Sequence, residues 1–85
     1  MALQDDSMSQ STTQYVAAEV RAELGRQGHD NTWLARQLGV SDMWVSRRLR
    51  SITEFTADDL VRVAETLRVE PSQFLPSPAA IVSTA

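Results

Sequence analysis

The residues able to do chemistry cluster between Asn31 and Arg50, in the stretch NTWLARQLGVSDMWVSRRLR. Arg36, Arg47, Arg48 and Arg50 all fall inside it. A guanidinium is a planar fork of donors that matches phosphate oxygens and the O6/N7 edge of guanine. Asn31, Ser41 and Ser46 add short donors, and Asp42 adds an acceptor. This is a recognition set, suited to a polyanion, not a bond-making set. His29 is the only histidine and there is no cysteine, so no metal site is expected. No glycine-rich phosphate loop is present. No Ser-His-Asp order has a matching fold. The sequence predicts no enzyme and no cofactor.

The formal net charge of −3 at first argues against a nucleic-acid partner. Its distribution reverses that argument. From residue 1 to 25, Arg21 stands against Asp5, Asp6, Glu19 and Glu23, a balance of −3. From 26 to 50, Arg26, Arg36, Arg47, Arg48 and Arg50 stand against Asp30 and Asp42, a balance of +3. From 51 to 85, Arg62 and Arg68 stand against Glu54, Asp58, Asp59, Glu65 and Glu70, again −3. A basic centre between acidic flanks still meets phosphate locally, while the flanks weaken non-specific binding. All eight basic residues are arginine; the codon usage of a GC-rich genome is the simpler account of that bias.

These side chains must be held by short elements. With 85 residues, 42% hydrophobic and 22% charged, one compact domain is expected. Its core is marginal in size and needs well-formed helices. Residues 1–11 read as a polar, disordered N-terminal arm, 12–76 as the folded domain, and 77–85 as a flexible C-terminal tail. Val16, Val20 and Leu24 recur every four residues with Ala17 beside them, predicting an amphipathic helix from Thr13 to Gln27, capped by Thr12 or Thr13 and ended by Gly28. A second helix runs from about Asn31 to Leu38, with Asp30 as N-cap and Gly39 as its stop. Ser41 caps a third, running to about Arg50. Thr56-Ala57-Asp58-Asp59 forms a capping box ahead of a fourth helix, whose buried stripe is Leu60, Val63, Ala64 and Leu67. Pro71 opens a short fifth helix to Leu75, pinned to the core by Phe74 and Leu75. No strand pattern and no repeat is visible. The start lacks the basic and apolar regions of a signal peptide, and the longest apolar run, Ala79 to Val82, is far below the ~20 residues of a membrane span. A cytoplasmic, nucleoid-associated location is expected, with no membrane partner.

The second and third helices carry a specific steric pattern. Leu34 and Leu38 face the core, Ala35 sits where the two helices cross, Gly39 turns the chain, and Val40 and Val45 close the contact. A small residue, a turn glycine and these apolar spacings describe a helix-turn-helix. Leu34-Ala35-Arg36-Gln37-Leu38-Gly39-Val40-Ser41, followed by Val45-Ser46, resembles the XRE, or lambda-repressor-like, family. Leu60 to Val69 resembles that family's fourth helix. The resemblance covers Val16 to Leu75. It implies an all-α, five-helix DNA-binding domain of the kind used by repressors, phage switch proteins and antitoxins. Three departures stand out. Asp42 and Met43 occupy the start of the third helix, where the family often has glutamines. Leu49 and Ser51 occupy positions where it often has Glu and Gly. Arg48 stands at an apolar position, and Leu49 is expected to take its place in the core, since 45, 49 and 52 form one helical face.

With Ser41 as cap, a helix lying in the major groove points Asp42, Met43, Ser46 and Arg47 at base edges. Arg47 is placed for guanine, and Met43 for a thymine methyl. Asp42 either accepts from a cytosine amino group or only complements the helix dipole. Asn31, Arg36, Ser41, Trp44, Arg48 and Arg50 are the phosphate candidates; the bland reading of each arginine is a solvated face. Trp33 reads as packing more than contact. The Glu54–Thr56 loop offers backbone amides. The expected partner is a pseudo-palindromic double-stranded operator, bound by a homodimer as the family geometry implies, with candidate dimer contacts on the fifth helix around Phe74 and on Ala79–Val82; the competing readings are packing within the chain and a loose tail, the latter favoured for Ala79–Val82. The leading function is a sequence-specific transcription regulator, a repressor of phage or prokaryotic type. The alternatives are an antitoxin, or a protein-interaction module on the same fold with a protein partner.

Overall fold

The computed structural model describes residues 11–76. The expected N-terminal arm up to residue 10, and the tail from residue 77 with Ala79–Val82, lie outside the described residues. The chain runs α1 (Thr12–Gln27), α2 (Asn31–Leu38), α3 (Asp42–Leu49), α4 (Ala57–Leu67) and a 3-10 turn (Pro71–Phe74). Among the described residues there is no strand.

Local chemistry sets the helix starts. Ser11, and neither threonine, caps α1: its hydroxyl accepts from the Gln14 amide, and the Gln14 side chain accepts from the Ser11 amide, both at 3.1 Å. Glutamine at the third helical position makes the cap reciprocal, which a threonine one or two residues later cannot do. The Asp30 carboxylate accepts from the Trp33 amide at 2.8 Å, and the Ser41 hydroxyl from Trp44 at 3.0 Å. Thr56 and Asp59 make the expected capping box of α4. At the end of α2, Gly39 takes φ 73° and its neighbour's amide closes on Ala35 (Val40 N to Ala35 O, 3.0 Å). A side chain there would sit in the left-handed region at a cost glycine avoids.

The helices bury one continuous core. Val16, Val20 and Leu24 from α1, Leu34, Ala35 and Leu38 from α2, Val45 and Leu49 from α3, and Leu60, Val63, Ala64 and Leu67 from α4 surround Phe74. Each fully buried large side chain contributes at most about 1.5–3 kcal/mol. Helix α2 packs on both α3 and α4, while the 3-10 turn sits against α1 and α4.

Three expectations are corrected. The fifth element is a 3-10 turn, closed by Gln73 N to Glu70 O (3.0 Å) and Leu75 N to Ser72 O (3.1 Å), because Pro76 leaves no room for an α-helical turn. Phe74 is buried as expected, but Leu75 is 43% exposed. The residue before a proline is pushed to extended backbone, and Leu75, at φ −109° and ψ 150°, turns its side chain away from Phe74's pocket. Leu49 does fill the core, yet Ile52 is 60% exposed. Ser51 takes φ 63°, which breaks the helical phase and swings Ile52 off the face shared by Val45 and Leu49.

Candidate functional site

Helix α3 divides its residues between two faces. Val45 and Leu49, four apart, point into the core. Met43 and Arg47 stand four apart on the opposite face, with Arg50 three further on, and all three are exposed. A period of 3.6 residues makes this division automatic once Val45 and Leu49 are buried. Met43 is 57% exposed, a position for which the core supplies no reason. Among the described residues, no hydrogen bond engages the side chains of Arg36, Arg47 or Arg50.

The N-terminal ends of α2 and α3 lie side by side. The Thr32 hydroxyl reaches Asp42 Oδ2 at 3.4 Å, a long contact that nonetheless places the two helix starts together. Asn31, Thr32, Ser41 and Asp42 are exposed there. Each helix start offers unpaired backbone amides and the positive end of its dipole. Ser41 spends its acceptor on the Trp44 amide, which leaves its hydroxyl proton able to donate outward. Ser46 is half-buried, so it presents less of itself than Met43 or Arg47.

Arg48 stands apart from the other arginines. Its guanidinium lies 3.7 Å from the centre of the Trp44 ring. Its Nε donates to Asp59 Oδ2 at 3.4 Å and its Nη1 to the Trp44 carbonyl at 3.3 Å. The arginine side chain is only 16% exposed. These contacts hold the guanidinium against α3 and α4. The Asp59 oxygen that receives Arg48 also accepts from the Thr56 amide at 2.9 Å, so Arg48 bolts α3 to the capping box of α4. Trp44 is half-buried, with Phe55 against it edge to face (centroids 6.3 Å, planes at 71°). Trp33 packs against the core and stacks on the His29 ring at 3.5 Å. That stack gives the lone histidine a packing role.

Several anchoring residues escaped sequence reasoning. Arg21 of α1 donates to the Leu49 carbonyl at the end of α3, and Arg62 of α4 donates to the Leu38 carbonyl at the end of α2. A cation on the last carbonyls of a helix satisfies an orphan acceptor and complements the dipole. These partners lie 28 and 24 residues away in sequence, so no local pattern announces them. Glu23 is the other omission. It is buried, and Oε1 accepts from Arg26 Nε (3.0 Å), Arg26 Nη2 (2.7 Å) and Gln73 Nε2 (2.7 Å), while Oε2 accepts from Gln27 Nε2 (2.8 Å). The hydrogen bonds from Gln27, Arg26 and Gln73 hold its carboxyl below the usual value, with burial opposing them. Among the described residues no cluster of His, Asp and Glu has a metal-binding arrangement, and no helix is long and apolar enough to cross a membrane.

No family profile matches the chain, and no curated protein does. Among solved structures, the fold is similar to that of a hypothetical transcription factor, NHTF, from Neisseria. The TM-score is 0.74 at 23% sequence identity, over 88% of this chain and 86% of that one. At that identity the likeness establishes a shared helical fold.

Proposed function

We propose that this protein binds double-stranded DNA sequence-specifically and regulates transcription, with α2 and α3 as a helix-turn-helix and α3 in the major groove. The observation that carries this reading is the paired helix starts beside an outward stripe of Met43, Arg47 and Arg50 on a helix whose other face is locked into the core. Two amide-bearing helix ends suit backbone phosphates, and an exposed stripe suits base edges. The Neisseria structure, that of a hypothetical transcription factor, is in keeping with it.

In this reading Arg47 binds guanine and Met43 packs on a thymine methyl. Asp42 and Ser46 make polar base contacts beside them. Asn31, Ser41, Arg36 and Arg50 meet phosphates. Trp44 and Arg48 act from behind, fixing the roll of α3 against α4. The lambda-repressor-like resemblance extends the reading to a repressor of phage or prokaryotic type, acting in the cytoplasm without catalysis. It binds a pseudo-palindromic operator as a homodimer. Phe74 is fully buried within its own chain, which removes it from the dimer contact.

The test is selection from a random-duplex pool at two salt concentrations, followed by sequencing. An enriched motif with inverted half-sites, and affinity that falls with salt, is the expected result. No enrichment and no salt-dependent binding overturns it and favours a protein-binding module, for which the acidic flanks are the supporting feature.

A further inference from the structure

An apolar groove opens on the molecule where α1, the loop before α4, α4 itself and the end of the 3-10 turn meet. It encloses about 360 Å³ and is lined by Val16, Phe55, Leu60, Val61, Pro71 and Leu75, with Thr12, Thr13, Glu54 and Ala57 completing it. Val61 and Leu75 are each 43% exposed. Lone exposed apolar residues are ordinary, but here two of them line one concave apolar surface that a single segment would cover together.

We propose that this groove seats the apolar segment Ala79–Val82 of the same chain. The first argument is position. Leu75 lines the groove, and only Pro76, Ser77 and Pro78 separate it from Ala79. At ~3.3–3.6 Å per extended residue, the linker's maximum reach from Leu75 to Ala79 is roughly 14 Å. A tether this short holds the segment at an effective concentration of order millimolar. The second argument is chemistry. Residues 77–85, SPAAIVSTA, carry no charged side chain, and Ala79-Ala80-Ile81-Val82 is the longest purely aliphatic run in the sequence. An uncharged aliphatic segment fits a wall whose one charged member is Glu54. The residues that precede α1 also lead from the groove, through Thr12 and Thr13, but they carry Asp5 and Asp6. Two carboxylates beside Glu54 disfavour them. The third argument is the ordering cost. Pro76 and Pro78 fix their own φ, and each biases its predecessor to extended backbone. Leu75 is already extended at φ −109° and ψ 150°. Docking therefore freezes less freedom than it would in a glycine-rich tail.

Magnetic resonance on the isotopically labelled 85-residue chain tests this. Contacts between the Ile81 methyl groups and those of Val61 and Leu75 are expected, unchanged over a hundredfold dilution. Ile81→Asp is expected to abolish them and to shift the amide signals of Val61, Leu75 and Phe55, while leaving that of Val45 in place as a sign that the fold persists. A sample mixing labelled and unlabelled chains separates the two sources of such a contact. Contacts seen only between chains assign the groove to a second copy and overturn the proposal. Contacts from Leu3 or Met8 assign it to the N-terminal segment and also overturn it. Absence of any contact to Ile81, with no shift in Ile81→Asp, overturns it outright. None of these readouts involves DNA, so a failure here leaves the DNA-binding reading untouched.

Discussion

Two polar regions of this small protein are built in opposite ways. Around Glu23, the polar groups are spent on one another: one buried carboxylate takes four hydrogen bonds, two from Arg26 and one each from Gln27 and Gln73. Gln27 passes the connection on to the Leu67 carbonyl at 2.8 Å. The cluster thus ties α1 to the 3-10 turn and to the end of α4. Along α3, Met43, Arg47 and Arg50 are turned outward and spend nothing on one another. A polar group satisfied within the protein stabilises it and has little left for a ligand. A polar group left exposed adds little stability and keeps its full capacity for a partner. The two regions should therefore separate under mutation, one moving stability and the other moving binding.

The largest expected effect breaks the inward side. Phe74→Ala removes the largest fully buried side chain and should cost about 3–5 kcal/mol. Thermal unfolding would show it as a large fall in Tm. A small fall would mean that the 3-10 turn is not part of the cooperative core. Glu23→Gln is next. It sets an amide donor against donors from Arg26, Gln27 and Gln73, for a loss of about 1–3 kcal/mol. The same residue predicts a pH dependence. Its carboxyl is lowered from 4.5, so the folded state holds the proton less tightly than the unfolded chain. The stabilisation is complete above pH 4.5 and is lost as pH falls through the lower folded value. Denaturant titrations from pH 6 to 3 should show that loss in the parent and a flatter profile in Glu23→Gln.

The outward side should answer differently. Arg47→Ala should leave folding stability within about 0.5 kcal/mol of the parent and lose about 1–3 kcal/mol of discrimination at one operator position. Repeating the duplex selection with this variant measures it; a uniform loss across all positions would move Arg47 to the phosphate set. Arg36→Ala is the mildest. It should weaken every sequence alike and reduce the salt slope by roughly one, read from titrations over a range of salt. If Arg36→Ala changed base preference, the division between base-reading and phosphate residues would fail.

Much of this architecture was legible in the chain. The apolar stripe of α4 and the caps at Asp30, Ser41 and Thr56 are local, and local chemistry follows directly from local sequence. The replacement of Arg48 by Leu49 in the core was legible for the same reason, since helical spacing alone allows it. Ile52 escaped because the spacing argument assumes an unbroken helix, and the left-handed turn at Ser51 carries no glycine to announce it. Leu75 escaped although its signal was present, in the proline that follows it. Arg48 shows the deeper limit. Its residue type gives no sign that Trp44 on its own helix and Asp59 on the next both engage it.

The sequence by itself determined the four helices, the caps of α2, α3 and α4, the small and apolar residues at the contact of α2 with α3, and which face of α3 turns outward. These depend on intervals of three or four residues, within which the backbone dictates geometry. Only the tertiary structure decided how the polar side chains are spent. Glu23 meets Gln73 across 50 positions, and Arg21 meets Leu49 across 28. Whether an arginine or a glutamate is consumed inside or offered outside depends on what packing brings beside it. No interval along the chain encodes that, because the distance that matters is measured through the core.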